Sequence, residues 1–159
     1  MPSPGELHGV ICAWIAHLLW MYVIKHGKGR VVGNDAGLLV ERDPDTLRGP
    51  DLMLFLDTLA LAQLSRRYTV LIPALVIEVS SPEDRPGKVN RRISQYLKRG
   101  VQLVWLVDPE ERTVTVYRPG KELYILNETD ELTGDDVLPD WRCQVVDFFK
   151  LPGATALAQ

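Results

Sequence analysis

Two runs in this chain are apolar on both faces: Val70–Ser80 (VLIPALVIEVS) and Val101–Val107 (VQLVWLV). Strand side chains alternate sides, so a strand apolar at nearly every position must be covered above and below, as a central strand is. Between these runs, Arg85–Arg99 carries Val89, Ile93, Tyr96 and Leu97 at i, i+4, i+7 and i+8 and meets Gly100 at its end. That is the pattern of an amphipathic helix with a glycine stop. Thr113–Tyr117 (TVTVY) and Glu122–Leu126 continue the strand series, and Asp140–Phe149 adds a short strand or helix. Upstream, Gly37–Arg42 and Leu47–Phe55 flank the turn-forming Asp43-Pro44-Asp45-Thr46 and predict a hairpin. Asp57–Arg67 reads as a short helix. The order of elements predicts an α/β fold, a mixed β-sheet flanked by helices.

Ahead of the strands, His8–Lys25 predicts a helix, with no Pro or Gly after Gly9 and Gly27 just beyond its end. It is apolar on nearly every face and includes Trp14 and Trp20. Such a helix is expected to be buried on most sides, in a core or against a second copy of the chain. Its longest apolar run, Val10–Ile24, has 15 residues, fewer than the roughly 20 that cross a bilayer. No basic stretch precedes it, as one would in a secretory signal. Cys12 and Cys143 stand apart and outside any CxxC pair, so neither a disulfide framework nor a zinc pattern is expected. The expected location is the cytoplasm, with no membrane association. At 159 residues the chain is long enough for one domain with a sizeable core, expected over 1–159 with 150–159 a loose tail.

The formal net charge of −3 argues against a protein held on nucleic acid by bulk positive charge. The distribution is uneven. Residues 85–99 hold six Lys/Arg and no acid, whereas residues 110–140 hold nine acids against three bases. A charged helix face of this kind is most simply a solvated surface. It could also aim one cation of the Lys88, Arg92, Gln95, Arg99 flank at a neighbouring carboxylate.

Two acids sit in predicted strands. Glu78 interrupts VLIPALVIEVS, on the same side of the strand as Ser80 and opposite to Ile77 and Val79. An ionised carboxylate in so apolar a run is costly unless it is paired, metal-bound or wetted at the strand end. Asp51 follows Pro50 in the second hairpin strand. His8, His17 and His26 are nine residues apart and give no ligand spacing among themselves. Gly27-Lys28-Gly29 lacks the remainder of a phosphate loop, and Ser80-Ser81 lacks the surroundings of a nucleophile elbow.

The segments RGPDLMLF, PALVIEVSSPEDRPGKVNRRISQYLKRGVQLVWLVDPEERTVTVYRPG and GDDVLPDW resemble the Uma-type restriction endonucleases of bacteria, within the PD-(D/E)XK nuclease superfamily. The resemblance runs from about His8 to Phe149. It implies a restriction-endonuclease-like core in which the sheet holds an acidic pair and an adjacent helix supplies a cation. Asp51 matches the Asp of PD, and Glu78 matches the acidic residue of (D/E)XK. With the Val79 backbone carbonyl they would hold a hard divalent cation, Mg²⁺ with Mn²⁺ able to substitute. The implied substrate is DNA, hydrolysed at its phosphodiester bonds.

Two departures from the family pattern bear on activity. Ser80 stands where the Lys of (D/E)XK belongs. In the family the lysine role passes to the following helix, where this chain has Arg92, with Lys88 one turn earlier as the reserve. Arginine keeps the charge but cannot act as a general base. Relatives also begin with an extra helix and hairpin bearing another acid, whereas this chain starts at MPSPGELHG, which implies a shortened N-terminus. Glu41, in the first hairpin strand, and Ser80 are auxiliary candidates. Two functions are therefore carried forward: a Mg²⁺-dependent DNA endonuclease, and a catalytically degenerate nuclease fold that binds nucleic acid or acts as a dimeric module. A homodimer using the His8–Lys25 helix is expected in either case.

Overall fold

A computed structural model describes residues 3–154. Helix α1 spans Glu6–His26, and the strands that follow are β1 (Arg30–Val32), β2 (Leu38–Glu41), β3 (Thr46–Arg48), β4 (Leu52–Phe55) and β5 (Leu75–Val79). Helix α2 (Pro86–Arg99) leads to β6 (Leu103–Asp108), β7 (Thr113–Tyr117), β8 (Tyr124–Leu126), β9 (Glu131–Gly134) and β10 (Leu138–Gln144). The main sheet runs β1-β4-β5-β6-β7-β8. Only β5 and β6 pair in parallel within it, with α2 as their connection, and every other neighbour is antiparallel. This is the mixed sheet flanked by helices that the sequence predicts.

Alternation along the strands divides the core. Leu75, Ile77 and Val79 of β5, with Leu103, Trp105 and Val107 of β6, pack towards α1 and the 3-10 turn at Val145–Phe149. Val76 and Val104 pack the other way, against Val89, Ile93 and Tyr96 of α2 and Leu38 of β2. Both central strands are thus covered on both faces, which is why both read as uninterrupted apolar runs. Helix α2 stops where expected: Gly100 has φ of +116°, a left-handed conformation that favours glycine. Its amide and that of Val101 donate back to Leu97 and Tyr96 carbonyls, each at 3.1 Å.

Several expectations are corrected. The second hairpin strand is not continuous over Leu47–Phe55: β3 pairs with β2, and β4 pairs with β1 and β5 in the main sheet. Gly49-Pro50 makes the break. Pro50 has no amide to donate to a ladder, and a Cβ at Gly49 would come within 2.7 Å of the Asp35 carbonyl. Asp57–Arg67 forms only a 3-10 turn at Leu61–Gln63. The strand expected from Val70 begins at Leu75, after Pro73. Of the expected loose tail, Lys150–Ala154 is exposed coil and turn, and 155–159 lie outside the described residues.

Helix α1 is buried along one stripe, not on most sides. Ile11, Ile15, Leu19, Tyr22 and Val23 pack on the sheet, whereas Leu7, Trp20, Met21 and Ile24 are exposed. By length and composition alone its 21 residues would suffice to cross a membrane. Trp14 ties it to the far end of the chain, its Nε1 donating to the Asp147 carbonyl at 2.8 Å. Trp14→Phe is expected to lower stability by about 1 kcal/mol, the usual worth of one such bond; urea denaturation checks this.

Candidate active site

The site lies where the start of β4, the end of β5, one flank of α2 and the first turns of α1 converge. Glu78, one residue from the end of β5, is only 5% exposed. It shares its side of the strand with Val76 and so points at α2. There the Tyr96 hydroxyl donates a hydrogen bond to Glu78 Oε1. Arg92, one turn earlier on α2, brings its Nε to 3.6 Å from the same oxygen and its Nη2 to 3.8 Å from Asp84 Oδ1. Burial pushes the Glu78 carboxyl up to about 7, helped by repulsion from Asp51 and Asp84 and opposed by Tyr96 and Arg92. Burial and the adjacent carboxylate also raise Tyr96 far above the ordinary phenol range, so it remains a donor.

Asp51 stands just before β4, where the chain bends after Pro50. Its Oδ2 accepts from the Val79 amide at 2.7 Å, in place of the backbone pairing that β4 would otherwise offer. The amide and carbonyl of one strand residue point to the same side, so the Val79 carbonyl is directed towards Asp51 as well. Asp51 Oδ1 lies 3.3 Å from His8 Nε2 on α1. Burial raises the Asp51 carboxyl, with the Val79 amide and His8 working against it. Cys12, one turn after His8, completes this corner, and burial beside Asp51 pushes its thiol up to about 12.

The other candidates have different engagements. Lys88 is exposed at the start of α2 and makes no ion pair among the described residues. Ser80 donates to the Val107 carbonyl at 3.3 Å, a strand-end contact. Glu41 accepts from buried Gln95 Nε2 at 3.1 Å, and Gln95 Oε1 accepts from Arg48 Nε at 2.7 Å. That chain fastens the β2–β3 hairpin to α2. Arg99, on the same flank as Arg92, is turned to backbone: it donates to the Leu39 and Val70 carbonyls at 3.0 and 2.9 Å. The cations of α2 therefore divide. Lys88, Arg91 and Lys98 are exposed, as is Arg85 at the N-cap, Arg92 serves the acids, and Arg99 is structural.

Chemically, the buried Glu78 carboxylate and the half-buried Asp51 carboxylate, close enough for Asp51 to repel charge on Glu78, form with a backbone carbonyl a hard-oxygen set suited to a divalent cation. The raised Glu78 carboxyl has a consequence without metal. The folded chain holds that proton up to about pH 7, whereas an unfolded glutamate releases it near 4.5. The protonated form's stabilisation is full below the unfolded value and lost as pH rises through the folded one. In chelator, Glu78→Gln should melt with the parent near pH 4, below the unfolded value, and a few degrees above it at pH 8. Thermal melts across this window check it; a gap that does not change with pH would contradict it.

A family model described as "putative restriction endonuclease", Uma2, matches residues 1–146. The chain belongs to that family. The fold of this Uma2 member is similar to the crystal structure of a "putative nuclease" from Anabaena variabilis, with a TM-score of 0.78 and 23% identity over 93% of this chain and 83% of that one. A comparison with curated proteins finds no match. Two site residues of this Uma2 chain escape a reading by local pattern. His8 has no useful spacing to the other histidines; its partner is Cys12 at i+4, and Asp51 reaches both only through the fold. Asp84, in the loop after β5, reaches Arg92 while its Oδ2 accepts from the Ser81 amide at 2.8 Å.

Proposed function

We propose that this Uma2 member is a divalent-metal-dependent DNA endonuclease in which Asp51, Glu78 and the Val79 carbonyl hold Mg²⁺ or Mn²⁺. The observation that carries the reading is Glu78: a carboxylate sunk in the central strand, raised by burial, repelled by Asp51 and attended by a cation. A bound divalent cation would polarise the scissile phosphate and acidify an attacking water. Within the chain, the Val79 amide fixes the Asp51 carboxylate by its Oδ2. Tyr96 and Arg92 fix Glu78, and Arg92, the cation paired with Glu78 among the described residues, would stabilise charge growing on phosphate. Permanently protonated, it takes no proton. The exposed cations of α2 would meet the DNA backbone.

The same contacts favour a second reading, a fold that binds nucleic acid without cleaving it. Arg92, Tyr96, His8 and the Val79 amide already engage both carboxylates, and no lysine approaches them among the described residues. Incubation of supercoiled plasmid with Mn²⁺ or Mg²⁺, against chelator, separates the two. Metal-dependent nicking or linearisation supports the nuclease; DNA retention with no cleavage at millimolar metal supports the other. We also propose a homodimer through the exposed face of α1. Trp20→Glu is then expected to convert a dimer to a monomer in sedimentation at micromolar concentration; a monomeric parent chain would refute the dimer.

A further inference from the structure

We infer that His8, Cys12 and Asp51 form a second metal site, one for a borderline transition ion of the Zn²⁺ class bound through nitrogen, thiolate and carboxylate oxygen. Their candidate ligand atoms all lie within 4.8 Å of one another. His8 Nε2 is 3.3 Å from Asp51 Oδ1 and 4.0 Å from Cys12 Sγ. Metal–ligand bonds of about 2.0 Å to N and O and about 2.3 Å to S put the edges of a tetrahedron at about 3.3 and about 3.5 Å. The first edge is already met; Cys12 Sγ lies beside the ring, 3.7 Å from Nδ1 and 4.0 Å from Nε2, so the second needs the thiol or the imidazole to rotate until Sγ faces the Nε2 side.

Three features point to a ligand set rather than a chance cluster. His8 and Cys12 are four apart on α1, one turn on the same face, so the helix holds both donors in fixed relation. Asp51 Oδ2 is tied to the Val79 amide at 2.7 Å, which orients the carboxylate and leaves Oδ1 towards His8, as an outer-shell partner does for a ligand. All three residues are half-buried, at the junction of α1 and the sheet. The donor types separate this site from the oxygen set at Asp51 and Glu78. Imidazole and thiolate select Zn²⁺-like ions, whereas Mg²⁺ prefers oxygen alone. Binding displaces the thiol proton to solvent. Where the nuclease reading holds, the two ions draw on one shared carboxylate, so an ion on His8 and Cys12 would compete with Mg²⁺ for Asp51.

Titration of the reduced full chain with Co²⁺, without DNA or Mg²⁺, tests the site independently of cleavage. The expected result is a near-ultraviolet thiolate-to-cobalt charge-transfer band saturating at one equivalent. It should vanish in Cys12→Ser, weaken in affinity by at least about tenfold in His8→Ala, and persist in Cys143→Ser and Glu78→Gln. Absence of the band at stoichiometric Co²⁺, or its survival at full affinity in either Cys12→Ser or His8→Ala, would overturn the site. A band lost with Cys143 or with Glu78 would do the same, by assigning the cobalt elsewhere. Because no readout is DNA cleavage, a chain that fails to cut DNA can still show the band, and the reverse.

Discussion

Asp51→Asn and Glu78→Gln are each expected to lower metal-supported DNA cleavage by at least about a hundredfold while the chain stays folded. Both substitutions keep the shape of the side chain. Each new carboxamide retains one oxygen, which accepts from the Val79 amide at position 51 and from the Tyr96 hydroxyl at position 78. What the substitutions remove is a charge that burial and mutual repulsion already disfavour. Stability should accordingly be unchanged or slightly higher, with the gain largest where the carboxylates would be ionised. Calorimetric titration with Mn²⁺ should show binding lost in step with cleavage. A large fall in melting temperature in both variants would mean that the acids are structural, held against Arg92 and His8 rather than kept for a cation.

Arg92→Ala should remove cleavage by about a hundredfold with a modest change in DNA affinity, because Arg85, Lys88, Arg91 and Lys98 remain exposed along α2. Arg91→Ala, one residue away and pointing to solvent, should do the opposite. It is expected to weaken binding uniformly across DNA sequences and to reduce the salt slope by about one, with turnover of bound DNA kept. Arg92→Lys should retain or raise activity, since a compact ammonium supplies the charge without the breadth of a guanidinium lying between Glu78 and Asp84. Cleavage and filter-binding measurements on the three variants decide it. Equal effects of Arg91→Ala and Arg92→Ala on both quantities would remove Arg92 from the chemistry.

Elements with a strong local signature are readable before the fold. Helix α2 has a stripe at helical spacing and a glycine stop, and it starts at Pro86, one residue from its expected start. Strand β7 alternates and matches TVTVY to the residue. The chain is harder to read where a segment is short or changes partner. Strands β1 and β9 have three and four residues, too few to set a period. The break at Gly49-Pro50 turns on which sheet each half joins, and neighbouring residues do not encode that. The site divides in the same manner. Glu78 stands out because a charge in an apolar strand is expensive, and Asp51 and Arg92 follow from motif resemblance. His8 and Cys12 reach Asp51, and Asp84 reaches Arg92, only when α1 and the β5–α2 loop are brought to the strand ends. Tyr96 reads as core packing, which it is, but its hydroxyl end lies on Glu78.

Asp51 and Glu78 are the proposed holders of a divalent cation. Anomalous scattering from a crystal soaked in Mn²⁺ tests this most directly. A manganese peak in contact with both carboxylates and the Val79 carbonyl, with Arg92 withdrawn from Glu78, is the predicted result. Carboxylates still closed on Arg92, Tyr96 and His8 at millimolar Mn²⁺, with no peak between them, would contradict it.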